Sequence, residues 1–244
     1  KKYRVTEYDI VNGDDIFNEK LEFVVATSDV VIHLAALTSV SESFKKKSET
    51  HRVNVLGTAR VVELCMKYKK KLIYPSSASV YVKDSSPYAY SKYLAEEIVV
   101  GAKDKIPVVI LRLFNVFGEG MNERTGSIMY NFLTDKKLVI FGDGEQTRDF
   151  IHVRDVVAIM NDAVKNKWNG FLGDIASGEE VSINYVAQLF KFYRKMKKVL
   201  YETPRKEIRW SKANVQALNK LYRENITTHL EHDIEKLVKN YEKS

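Results

Sequence analysis

The 244 residues are 45% hydrophobic and 29% charged, the composition of an ordinary globular chain, and they suffice for one good core or one core with a small second lobe. No apolar run approaches the roughly 18 residues of a membrane span, and no charged-then-apolar leader is visible; the single cysteine, Cys65, excludes an internal disulfide and points to a reducing, cytoplasmic setting. The net charge of +7 comes mainly from lysines at expected helix ends, so it reads as solvated surface or a basic cleft for an anionic ligand rather than a nucleic-acid face, and the five scattered histidines show no metal-ligand spacing.

In chain order, residues 3–10 alternate like a strand and end in Asp9-Ile10, and residues 14–26 read as a helix. Residues 30–35 are a continuous apolar run, the pattern of a parallel strand buried on both faces, closing in His33-Leu34-Ala35-Ala36. A lone His33 beside such a strand is a structural residue and receives no chemistry. Residues 48–68 predict one helix with two apolar stripes, Val55, Ala59, Val62 and Met66 on one and Val53, Val61, Leu64 and Tyr68 on the other. A helix apolar on two faces needs cover on two sides: the sheet for one, and a second subunit for the other, which predicts a homodimer. Residues 71–74 form the next strand, 108–114 another, and after Gly118 the pattern loosens into short strands, notably 138–141. Helix 155–164, strand 171–176, a helix from its Ser182 cap to about 196, strand 198–201 and helices 211–222 and 230–241 complete the chain. Strands alternating with helices predict an α/β fold, a doubly wound parallel sheet, with a smaller lobe after Gly118 over the strand carboxyl ends, where such sheets bind ligands.

The chemistry concentrates in Ser76-Ser77-Ala78-Ser79-Val80-Tyr81 followed by Tyr88-Ala89-Tyr90-Ser91-Lys92. The first stretch ends a strand; the second opens a helix on which Tyr88 and Lys92, four residues apart, share a face. Ser77 reaches the same place from the strand end. A free tyrosine has a pKa near 10, so ionising it at pH 7 needs about 4 kcal/mol. An ammonium at about 6 Å supplies roughly 3 kcal/mol at an effective dielectric of 20, and an oxidised nicotinamide ring would add the remainder. Tyr-x-x-x-Lys alone more often marks a partly buried tyrosine and a solvated lysine; the serine-rich strand end directly upstream reverses that reading.

With these residues in place, the chain resembles the extended short-chain dehydrogenase/reductase family, in its nucleotide-sugar epimerase/dehydratase branch. The likeness continues through Asp29-Val30-Val31-Ile32-His33-Leu34-Ala35-Ala36, Asn54-Val55-Leu56-Gly57-Thr58, Arg112-Leu113-Phe114-Asn115-Val116-Phe117-Gly118 and the run from Gly142 to Val153 that contains Gln146-Thr147-Arg148-Asp149. The resemblance implies a Rossmann-like NAD-binding domain over residues 1–117 and 150–176 and a nucleotide-sugar lobe over 118–149 and 177–244. It implies that Asp9 and Ile10 lie against the adenine of NAD, that Leu34, Ala35, Ala36 and Asn54 line the cofactor, and that Lys92 holds the nicotinamide ribose. Tyr88 is then the base for the sugar 4-hydroxyl, with Ser77 bonded to the same oxygen. Asn115, Arg148 and Arg205 would meet the diphosphate of a UDP-hexose, and the alternative for Arg148 is an ion pair with Asp149 or Asp155.

Two departures accompany the likeness. The sequence contains no Gly-x-x-Gly-x-x-Gly and opens at what the family has as its third strand. Between Tyr81 and Tyr88 relatives carry a longer loop, and Val82 replaces their glycine. Lost segments are the expected cause of both, a homologue that no longer binds NAD being the alternative. Reaction type turns on Ala78-Ser79, where the family's 4,6-dehydratases carry Asp-Glu and its decarboxylases keep the Glu. Neither residue here is a carboxyl acid. The expected activity is therefore NAD-dependent 4-epimerisation of the UDP-glucose 4-epimerase type, with a 4-ketoreductase, a dehydratase or a non-catalytic homologue as alternatives.

Overall fold

The computed structural model describes residues 3–122, 127–204 and 208–243. The expected strand over residues 3–10 does not form; residues 3–9 have no regular secondary structure and are largely exposed until a 3-10 turn, Ile10–Asn12, capped by the Asp9 carboxylate on Val11 N at 2.8 Å. Alternation makes a strand only where a neighbour offers backbone partners, and the sheet places no strand beside this segment. Helix α1 (Lys20–Thr27) starts later than its apolar residues suggest, because Asp15 and Asn18 side chains take the amides of Phe17 and Lys20 into local turns.

Strand β1 (Val30–Ile32) is followed by an extended segment and two short helices, α2 (Val40–Lys45) and α3 (Lys47–His51). The predicted single helix over 48–68 is divided: a π-helical turn, Arg52–Leu56, separates α3 from α4 (Gly57–Lys67). The turn's extra residue offsets the faces on either side, and such turns recur at functional sites. The second stripe of α4 is covered inside the chain: Val61 and Leu64 are buried with Leu21 and Val25 of α1, and Val53 is half-buried.

β2 (Lys71–Ser77) runs three residues further than its apolar core and passes into a 3-10 segment, Ala78–Ser85, kinked at Val82. This is the whole connection to α5 (Pro87–Val100), and it packs along that helix. β3 (Val108–Leu113), β4 (Asn115–Phe117), α6 (Ile128–Thr134), β5 (Leu138–Phe141), β6 (Thr147–His152) and α7 (Val153–Lys165) follow. Then come β7 (Phe171–Ile175), β8 (Glu180–Ser182), α8 (Ile183–Tyr193), β9 (Val199–Glu202), α9 (Gln216–Leu221) and α10 (Leu230–Tyr241). Ser182 caps α8 as expected, accepting from Tyr185 N at 3.2 Å.

The main sheet has the order β1-β2-β3-β7. β1 is parallel to β2, with Val30 opposite Lys71. Bonds from Leu72 N to Pro107 O and from Gly170 N to Val108 O set the starts of β2, β3 and β7 side by side. The α/β expectation of a parallel sheet holds. Among the described residues no helix is long and apolar enough to cross a membrane.

The chain divides into two compact units, residues 1–112 with 162–172, and residues 113–161 with 173–244. The first has a core of Leu72, Tyr74, Val99, Val108 and Ile110 against α1 and α4. In the second, β4 pairs parallel with β6, β6 antiparallel with β8, and β5 parallel with β9. Its core gathers Phe132, Ile140, Phe190 and Ile234 between those strands and α6, α8 and α10.

Candidate active site

Ser86 caps α5, accepting from Ala89 N at 3.1 Å, and Pro87 takes the first helical position, where its missing N–H is no loss. This fixes Tyr88 in the first turn, with its own N–H donated to Ser43 Oγ at 3.2 Å. One turn later Lys92 faces the same side, and both side chains are buried. Ser77, the last residue of β2, opposes the rise of the Tyr88 hydroxyl pKa and also caps the next turn, accepting from Ser79 N at 3.2 Å. Ser77 thus ends the strand before α5, and Tyr88 and Lys92 lie one turn apart on that helix. Asn54, inside the π-helical turn, accepts from Leu37 N at 2.7 Å and donates to Leu37 O and Ser91 Oγ, each at 2.9 Å. It ties the segment after β1 to α5. Ser91 in turn donates to Tyr88 O at 2.7 Å.

The electrostatics differ from the expectation in one respect. Burial pushes the Tyr88 hydroxyl above its ordinary value, and Ser77 only partly opposes this. Lys92 does not offset that burial here. Its ammonium donates to Pro75 O at 2.9 Å and lies 4.3 Å from the Tyr74 ring centroid. Burial lowers Lys92 to about 7, against the opposing charge of Glu96. The site as described therefore holds a neutral tyrosine. Nearby His33, buried and 3.0 Å from Thr58 Oγ1, is lowered to about 3, first by burial and then by Lys92. It stays neutral, in keeping with a structural role.

The depressed Lys92 has a consequence for stability. The unfolded lysine binds its proton up to about pH 10.4, the folded one only to about 7. Between those values the unfolded state binds more protons, so stability rises with pH and is lost again as pH falls toward 7. Urea unfolding at pH 7.0 and 8.5 should show a higher midpoint at 8.5. In Lys92→Met that difference should shrink or vanish; an unchanged difference would remove Lys92 as its source.

Of the residues implied for the cofactor, Asp9 and Ile10 are exposed, Leu34 and Ala35 are exposed beyond β1, and Ala36 is half-buried. Asn115 and Arg148 lie in the second unit on paired strands: Asn115 Nδ2 donates to Asp149 O at 2.9 Å, and Arg148 donates to Thr147 O and Ile208 O at 2.7 and 2.8 Å. The two carboxylates proposed as ion-pair partners for Arg148 serve other groups. Asp149 accepts from Ser177 N and Oγ and from Gly178 N, and Asp155 accepts from Thr227 and Thr228. Arg205 lies outside the described residues. Sequence reasoning missed Ser43, Ser76, Ser91, Glu96 and Arg112. The signals were a serine in an otherwise apolar strand and a Glu one helical turn beyond Lys92.

A parallel sheet with a serine at a strand end, followed by a tyrosine and a lysine one turn apart on the next helix, is the arrangement of a Rossmann-type nucleotide-binding fold. The sequence pattern of the NAD dependent epimerase/dehydratase family matches residues 2–175, and the chain belongs to that family, whose cofactor is NAD. It is 33% identical over 189 residues to a UDP-N-acetyl-alpha-D-glucosaminuronate decarboxylase of Bacillus cytotoxicus, covering 68% of this chain and 59% of the relative. It is 32% identical over 215 residues to a putative UDP-glucose 4-epimerase of Methanocaldococcus jannaschii, covering 79% of this chain and 69% of that one. Among solved structures, a UDP-N-acetylglucosamine 4-epimerase from Methanobrevibacter ruminantium M1, in complex with UDP-N-acetylmuramic acid, superposes with a TM-score of 0.84 at 27% identity, over 94% of this chain and 82% of that one. The chain thus spans under two thirds of the decarboxylase and slightly more of the epimerase.

The residues present fit the nicotinamide-ribose end of NAD. Lys92 as the ammonium uses one of its three N–H donors on Pro75, so two would be available to a ribose diol, and the small residues Ala35 and Ala36 after β1 would let the cofactor approach the backbone.

Proposed function

We propose that this chain carries the catalytic centre of an NAD-dependent 4-epimerase of a nucleotide-diphosphate hexose, with a UDP-hexose as substrate. The observation that carries the reading is Ser77 at the end of β2 with buried Tyr88 in the first turn of α5 and buried Lys92 one turn later, beside an Ala78-Ser79 pair that has no carboxyl group. Bound NAD would accept the C4 hydrogen of the sugar as hydride and return it. Tyr88 would take the 4-hydroxyl proton, Ser77 would hold the same oxygen and relay the proton, and Lys92 would bind ribose hydroxyls and favour the phenolate. Proton return to the 4-oxygen completes the reaction after the keto sugar has presented its other face. Asn115 and Arg148 would recognise the nucleotide diphosphate, where arginine's planar fork suits phosphate oxygens.

The relatives' names span decarboxylation and epimerisation. Loss of water across C5 and C6 needs a base for C5 and an acid for the C6 hydroxyl. Alanine and serine supply neither. Incubation with NAD and UDP-glucose or UDP-N-acetylglucosamine in D2O, read by proton NMR, should give the 4-epimer with no deuterium at C5. Deuterium at C5, or a 4-keto-6-deoxy product, would replace epimerisation with dehydration.

A further inference from the structure

Behind the Tyr88 face of α5 lies a polar cluster that the proposed chemistry does not use. Glu96, one turn beyond Lys92, is 2% exposed. Its carboxylate accepts from Ser76 Oγ of β2 at 2.6 Å. It also accepts from Arg112 of β3, with Nε at 3.1 Å from both oxygens and NH2 at 2.5 Å from one. Arg112 donates its remaining nitrogen to the Tyr81 hydroxyl at 2.8 Å and stacks over that ring at 4.8 Å. One carboxylate thereby joins α5, β2, β3 and the 78–85 connection that leaves Ser77.

A buried ion pair is weak evidence for stability, since desolvating both charges offsets their attraction. An apolar pair could brace α5 equally well, so the placement needs another explanation. The groups facing Lys92 supply it. From α5 itself come Tyr88 and Glu96, the latter paired with the Arg112 guanidinium of β3; from β2, the Tyr74 ring and the Pro75 carbonyl; from beyond β1, His33. His33 and both tyrosines are neutral at pH 7: burial holds His33 low and both hydroxyls high. Among these facing groups Glu96 is the anion, and its own bonds to Ser76 and Arg112 keep it from moving onto Lys92 directly. We propose that Glu96 is a positioning residue, a fixed buried anion held from β2 and β3 that keeps the Lys92 ammonium charged. Lys92 supports the Tyr88 phenolate only as a cation, so a neutral lysine would leave that proton in place. Its opposition to burial is in the same direction.

The inference rests on the reading that Lys92 serves Tyr88, but it can be read in the ligand-free chain without turnover. Lysines labelled with 13C at Cε would be titrated by NMR, with Lys92 assigned as the signal missing from Lys92→Met. The wild-type midpoint should lie near 7. Glu96→Gln should lower it by about one unit, a tenfold loss of charged lysine above the midpoint, while Glu96→Asp, which keeps the charge, should stay within about half a unit of wild type. A purely structural Glu96 would let both variants lose thermal stability and shift Lys92 together, or not at all; either result overturns the proposal. If Glu96→Gln alone does not fold, Glu96→Gln with Arg112→Gln leaves no unpaired buried charge and should show a lower midpoint than Arg112→Gln alone, a comparison in which only the carboxylate differs. An unmoved midpoint there is equally contrary. Absence of epimerase activity with the shift intact would refute the epimerase reading alone.

Discussion

In Tyr88→Phe, kcat falls by roughly 10²–10⁴-fold, the usual contribution of a general base, while KM changes little. The phenyl ring keeps the packing of a side chain buried at the start of α5. The substitution removes the hydroxyl and leaves Ser77 with its bond to Ser79. A loss confined to kcat says that the missing interaction belongs to the transition state rather than to binding. Ser77→Ala should cost less, because the base remains and only the bond and relay are gone. Steady-state kinetics of the two variants under saturating NAD give the comparison. Equal losses, or full activity in Tyr88→Phe, would displace Tyr88 from the chemistry.

Lys92→Met has the second largest effect, and it differs in pH dependence. An ammonium brought to about 6 Å from the phenolate when NAD is bound would contribute roughly 3 kcal/mol at an effective dielectric of 20, close to a hundredfold in rate. Burial already raises the Tyr88 hydroxyl, so without Lys92 the phenolate fraction at pH 7 is smaller still. It grows tenfold with each pH unit below the tyrosine pKa. The variant's rate should therefore climb steeply between pH 7 and 9 and partly recover, while the wild-type rate is flatter. NAD affinity should fall as well, since the ribose loses its donors. A variant rate that stays flat over that interval would mean that Lys92 acts through binding alone.

Tyr88 and Lys92 were legible in the sequence because helical spacing fixes the relation of residues four apart, and the Ser86-Pro87 start fixes where the helix begins. Residues 138–141 and 230–241 were equally plain, since each bears one uninterrupted periodic pattern in a single unit. Residues 3–10 misled for a physical reason: alternation records which faces could be buried, whereas a strand needs a partner's backbone. The short strands β4, β6 and β8 were invisible for the converse reason. Thr147–His152 carries little alternation and is made a strand by pairing with Asn115–Phe117 and Glu180–Ser182. The π-helical turn at Asn54 leaves no pattern in one sequence, because an inserted residue looks like an ordinary turn of helix. Least legible was the resting place of Lys92. Its bond to Pro75 O and its proximity to Glu96 depend on β2 and α5 packing together, which residue spacing along either element does not express.

The central claim, that hydride leaves C4 of the sugar and returns to the same carbon, is tested most directly with UDP-hexose deuterated at C4. The chain is incubated with NAD in ordinary water and the nucleotide sugars are analysed by mass spectrometry and proton NMR. The account predicts the 4-epimer with deuterium retained at C4 and no net formation of NADH. Deuterium lost to solvent, accumulation of a 4-keto sugar, or NADH formed in proportion to product would contradict it.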